Sequence, residues 1–107
     1  MAQYLLIESR DPFESNVSNS TTLAAGLAKE GNEVTYFLVQ NGVLPARRSS
    51  KSAELTQLSR SGVRVRADDF SLRQRGIPAA ALADGVSAAS LDSIVDALAS
   101  GHRAIWF

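Results

Sequence analysis

Three features of the sequence predict an α/β fold, a three-layer α/β/α sandwich on a mostly parallel five-stranded sheet. Short apolar or β-branched runs recur along the chain, segments of helical period separate them, and a glycine stands where most of those segments end. The 107 residues make one domain, 1–107, because a second would have too little core to fold alone. An apolar share of 45% and a charged share of 21% are those of an ordinary globular chain, which excludes the disordered and fibrous classes.

Tyr4–Glu8 is a continuous apolar run of the kind that forms a strand covered on both faces. A polar loop with a bend at Pro12 follows, and one of Ser18, Asn19 or Ser20 is expected to cap the next helix. That helix spans Thr21–Glu30, with Leu23 and Leu27 on one side and Gly31 as its stop. Glu33–Val39, rich in β-branched and aromatic residues, is the second strand. Strand, helix and strand within some forty residues make a βαβ unit, which requires parallel pairing and a right-handed crossover. Gln40-Asn41-Gly42 reads as a turn and Val43-Leu44-Pro45 as an apolar loop.

A second helix begins near Ser49 or Ser50, with Ala53, Leu55 and Leu58 as its apolar positions, and stops near Gly62. Val63–Ala67 is the third strand; it ends at Asp68 and Asp69. A helical turn runs from Ser71 to Gly76, with Pro78 just beyond it. Ala79–Ala83 is a loop or weak helical turn, and Gly85–Ser87 a very short strand. Ser90 caps a last helix in which Leu91, Ile94, Val95 and Leu98 recur at helical spacing, and Gly101 ends it. Arg103–Phe107 is the terminal strand.

Composition removes several chemistries. With no cysteine, the chain has no disulfide, thiolate metal site, thiol nucleophile or persulfide carrier. The loop after the first strand lacks the glycines of a dinucleotide or P-loop turn, and no Gly-x-Ser-x-Gly elbow serves the single His102. No spacing of Asp, Glu and His matches a metal site, so neither a metal nor a cofactor is expected. No apolar run nears the roughly 20 residues that span a bilayer. The opening residues read as a strand and not a signal peptide, which makes cytoplasmic residence the expectation.

Basic and acidic residues balance at eleven each, giving no electrostatic case for nucleic acid or membrane. Between Arg47 and Arg75, however, eight basic residues face three acidic ones. In an open parallel sheet, ligands gather at the carboxyl ends of strands. The candidate pocket is therefore Asp68, Asp69, Ser71, Arg73 and Arg75 after the third strand, with Asp11, Asn16 and Ser18 after the first. Capping and local ion pairing account for Asp68 and Asp69 equally well.

Three stretches carry a family likeness: Asp11-Pro12-Phe13 with the Ser/Asn run after it; Ala25–Leu44; and Gly62–Val65 with Ser71–Ile77. In these the chain resembles the DsrE/DsrF-like family of sulfur-relay proteins, which includes the TusD sulfurtransferase subunit. The resemblance implies a five-stranded parallel sheet and assembly into homo-oligomers, trimers or hexamers, or into hetero-oligomers with related subunits. Members that transfer sulfur carry a cysteine eight positions before the glycine of the Arg-Gly-Ile segment; here that position is Asp68. A carboxylate cannot hold a persulfide, since the relay needs thiolate attack on sulfur. The expectation is a non-catalytic, oligomeric binding or assembly subunit with no catalytic residue. The alternatives are a small-molecule enzyme with Asp68 as general acid or base, and a phosphate- or nucleotide-binding module.

Overall fold

In the computed structural model, which describes residues 2–11, 20–49 and 52–107, strands and helices alternate along the chain. β1 (Gln3–Glu8) leads to α1 (Ser20–Lys29), β2 (Glu33–Leu38), a 3₁₀ segment (Gln40–Ala46), α2 (Ala53–Arg60) and β3 (Arg64–Asp68). α3 (Asp69–Gln74), a 3₁₀ turn (Ala79–Ala81), β4 (Val86–Ala89), α4 (Asp92–Ala99) and β5 (Arg103–Trp106) follow.

The five strands lie in one sheet, ordered β4-β3-β2-β1-β5, and every pairing is parallel. From β1 to β4 each step moves one place in the same direction; β5 then returns to the far side of β1. Right-handed crossovers place helices on one face for steps one way and on the opposite face for the step back. The α/β/α sandwich expected from the sequence is thus formed, with α4 alone on its side.

Period-two alternation divides the apolar residues between two cores. On the α1 and α2 face, Ile105, Leu6, Tyr36, Val65 and Val86 stand in one register row across the sheet. Ala24, Leu55, Leu58, Leu72 and Ile77 pack with that row. On the α4 face the core is only Leu5, Ile7, Phe37 and Val39, covered by Ala89 and by Ile94 and Ala97 of α4. No residue of α4 itself is fully buried.

Two local details depart from the sequence reading. The turn and loop expected at residues 40–45 form a continuous 3₁₀ segment, because Val43 and Ala46 insert into the larger core. Gly42 is required there: a Cβ at this position would collide with the Glu8 carbonyl oxygen. α3 begins at Asp69, two residues earlier than the turn expected at Ser71, because Asp68 supplies the cap. The Ser90 Oγ accepts the Asp92 N–H at 3.2 Å, as expected at the start of α4. No helix among the described residues is long and apolar enough to cross a membrane.

Candidate functional site

Strand periodicity fixes where Asp68 sits. Val65 and Ala67 enter the larger core, so Arg66 and Asp68 belong to the α4 side at the carboxyl rim of the sheet. Asp68 keeps extended backbone (φ −61°, ψ 121°) and its Oδ2 accepts the Ser71 N–H at 3.0 Å. That bond satisfies one of the free N–H groups of the first turn of α3. The Ser71 hydroxyl also donates to Oδ2, at 2.6 Å, and accepts the Gln40 N–H at 2.9 Å. Gln40 holds a φ of 52°, in the left-handed region that a residue with a Cβ seldom enters. Such conformations persist only where surrounding contacts enforce them. Asp68 is 2% exposed, and its Oδ1 is buried with no hydrogen-bond partner among the described residues.

A cleft of about 440 Å³ opens over this carboxylate. Val39 and Gln40 line it from the end of β2, and Phe70, Ser71 and Gln74 from α3. Leu91, Ile94 and Val95 at the start of α4 and Trp106 at the end of β5 close the other side. Among the described residues Asp68 is the only ionisable side chain of the lining. Phe70, Leu91, Val95, Leu98 and Trp106 are each 50% to 65% exposed, so an apolar surface runs from the cleft along the outer side of α4.

Of the residues expected in a pocket, the structure brings Asp68 and Ser71 together at this cleft and directs the others elsewhere. Asp69 pairs with Arg73 at 3.8 Å on the solvent side of α3. Arg75 donates to the Asn41 Oδ1 at 3.0 and 3.2 Å and to the Ser71 carbonyl at 3.3 Å. Helical rotation explains this: Ser71 and Leu72 face inward, which turns Arg73 outward. Asp11 is half-buried beyond β1 and does not line the cleft, while Asn16 and Ser18 lie outside the described residues. Arg64 and Arg66 line a separate groove beside α4, of about 360 Å³, with Asp96 and His102. Among the described residues no three His, Asp or Glu side chains gather as a metal site would require.

A second polar centre lies at the same rim on the opposite face, unannounced by the sequence beyond a glutamate closing an apolar strand. Glu8 is wholly buried; its Oε1 accepts the Ser20 hydroxyl at 2.8 Å and its Oε2 the Arg10 N–H at 3.2 Å. Since Ser20 gives its one proton to Glu8, the Tyr36 hydroxyl is the donor in the 2.6 Å Ser20–Tyr36 bond. Burial pushes the Tyr36 hydroxyl far above the usual phenol range; the Ser20 bond opposes that rise and the Glu8 charge adds to it.

The chain matches the DsrE/DsrF-like family over residues 2–107. Its fold is similar to that of the ychN protein from E. coli, at a TM-score of 0.86 and 20% identity, each chain covered in full. The protein of unknown function MTH1491 from Methanobacterium thermoautotrophicum is similar at a TM-score of 0.81 and 22% identity, again with full coverage of both chains. BT1422 from Bacteroides thetaiotaomicron, a conserved protein of unknown function, is similar at 0.79 and 16%, covering 98% of this chain and 95% of its own. No curated relative matches the chain.

Proposed function

We propose, from the premise that the chain belongs to the DsrE/DsrF-like family, that it is a cytoplasmic, non-catalytic binding or assembly subunit that works as a homo-oligomer. The observation carrying this reading is the apolar stripe of Leu91, Val95 and Leu98, flanked by Trp106 and Phe70. Spacings of four and three residues put the three aliphatic side chains on one side of the helix. A contiguous apolar surface of this kind costs free energy in water and marks an association site. A second copy seated on it would hide the stripe in a closed assembly.

Sulfur relay is not part of the proposal. The sequence has no cysteine, and Asp68, at the position where sulfur-transferring members of the family carry one, caps a helix. Phosphate or nucleotide binding is disfavoured too, because among the described residues the cleft lining has a carboxylate at its floor and no cation. The burial of Asp68 beside a cleft favours one second reading, a small-molecule enzyme using it as general acid or base. Among the described residues the lining offers no second ionisable group to complete such a pair.

Light scattering at micromolar concentration tests the assembly. The expected result is a mass that is a whole multiple of 11.4 kDa. Leu98→Glu, on the stripe but outside the cleft, should dissociate it with helical content unchanged. A wild-type protein that stays strictly monomeric overturns the reading.

A further inference from the structure

We propose that the cleft over Asp68 binds a small primary ammonium with an apolar body, whose –NH₃⁺ group donates to the Asp68 Oδ1. The inference goes beyond the assembly reading and does not depend on it; Phe70, Leu91, Val95 and Trp106 belong both to the stripe and to the cleft walls, so the unassembled chain is the form in which the cleft stands open. It starts from an imbalance in one carboxylate. Oδ2 takes both local donors, the Ser71 N–H and O–H, while Oδ1 is buried with none. Folded proteins leave few buried acceptors in that condition, because the lost hydration goes uncompensated. What the site lacks is a donor, and it lacks one at a defined atom.

The walls narrow the chemistry further. Among the described residues Asp68 carries the only charge in the lining, and Arg73 and Arg75 are held outward by Asp69 and Asn41. A cationic donor is therefore the complementary ligand, and an anion would meet an uncompensated carboxylate. Leu91, Ile94 and Val95 offer aliphatic contact, and Phe70 and Trp106 offer rings to a cation and its hydrocarbon. A volume of about 440 Å³ suits a small molecule. Asp68 lines the cleft while its Oδ1 has almost no exposed surface, so the head group has to be compact. An ammonium with three freely rotating N–H donors meets that requirement; a planar guanidinium or a quaternary nitrogen does not.

The chain's single tryptophan, Trp106, lines the cleft and reports on it by fluorescence. Cyclohexylmethylammonium should change its emission saturably. Cyclohexylmethanol and the N-trimethyl analogue should bind at least about tenfold more weakly, for want of a charged donor or of any donor. Asp68→Asn keeps an oxygen to cap α3 but puts an amide in place of the charged acceptor. It should weaken the primary ammonium by about tenfold or more and leave the alcohol unchanged. Should that variant fail to fold, the ligand series on the wild type decides alone.

Nα-acetyl-lysine amide separates two sources of the same head group: binding tighter than the free amine's indicates a protein side chain, and weaker binding indicates a free amine. Equal affinity for ammonium and alcohol overturns the inference, as does the absence of any saturable response to the ammonium. The same titration on Leu98→Glu keeps the two proposals apart. A Leu98→Glu monomer that still selects the ammonium leaves this inference standing whatever the wild-type mass, and a folded monomer that does not select it sinks this inference alone.

Discussion

On the α1 and α2 side of the sheet, a row of apolar residues crosses all five strands and is sealed by helices whose Ala24, Leu55, Leu58 and Leu72 are buried. On the α4 side, a single helix with no fully buried residue rests on Leu5, Ile7, Phe37 and Val39, and β3 offers it arginines. The difference follows from topology. Three crossovers deliver their connections to one face and only the return to β5 serves the other. The first face carries most of the buried apolar residues; the second keeps exposed apolar surface beside a buried, incompletely satisfied carboxylate. Stability and recognition are therefore separable here, and substitutions on the two faces should differ in kind.

The largest effect should come from Leu6→Ala, in the middle of the sealed row. Deleting a buried leucine costs about 2–5 kcal/mol, read as a lower denaturant midpoint at unchanged slope. Tyr36→Phe comes next: it removes the donor to Ser20 and should cost about 1–2 kcal/mol at neutral pH. Its pH dependence has a definite sign. The folded-state Tyr36 hydroxyl titrates above its ordinary value of 10.0, so the unfolded chain loses that proton first. The stabilisation is complete below about pH 10 and is lost as pH rises beyond it. Unfolding midpoints of wild type and Tyr36→Phe should accordingly converge above about pH 10, and a gap that widens there would contradict the sign.

Ile94→Ala, on the thinner side, should cost about 1 kcal/mol, since the side chain is only half-buried. A loss as large as that of Leu6→Ala would break the comparison by showing that α4 is anchored as firmly as the other helices. The smallest stability effect belongs to Leu98→Glu, within about 0.5 kcal/mol at dilutions where the wild type is also monomeric. Its effect on assembled mass should be the largest of the series.

The fold was legible because each strand is a compact run of apolar, β-branched or aromatic residues, and each intervening helix has a periodic face. Glu33–Leu38 and Arg64–Asp68 fall within one residue of the boundaries read from the sequence, because their ends are set by local turn and capping chemistry. Residues 40–46 were harder to read. Asn41-Gly42 and Pro45 signal a turn and a stop, yet burial of Val43 and Ala46 carries the chain through a 3₁₀ segment. Only the floor of the cleft, Asp68 and Ser71, was visible locally. Its walls come from α3, α4 and β5, which no short window joins. One signal was present and underused: Leu91, Ile94, Val95, Ala97 and Leu98 give α4 more apolar positions than one face against a sheet can bury. Proximity in sequence places Arg73 and Arg75 beside Asp68, and helical rotation takes them away from it.

The parallel pairing of β1 with β5 joins Tyr4 to Arg103, and the Ser9 hydroxyl reaches the Phe107 carbonyl at 2.9 Å. During synthesis, then, β1 waits for β5, the last strand of this sheet, before its outer edge is hydrogen-bonded. Until then a nascent chain carries an open, apolar edge of the kind that recruits foreign strands. Cellular yield should hence be governed less by final stability than by how long that edge is left uncovered, and slowed elongation beyond α4 should raise the aggregated fraction.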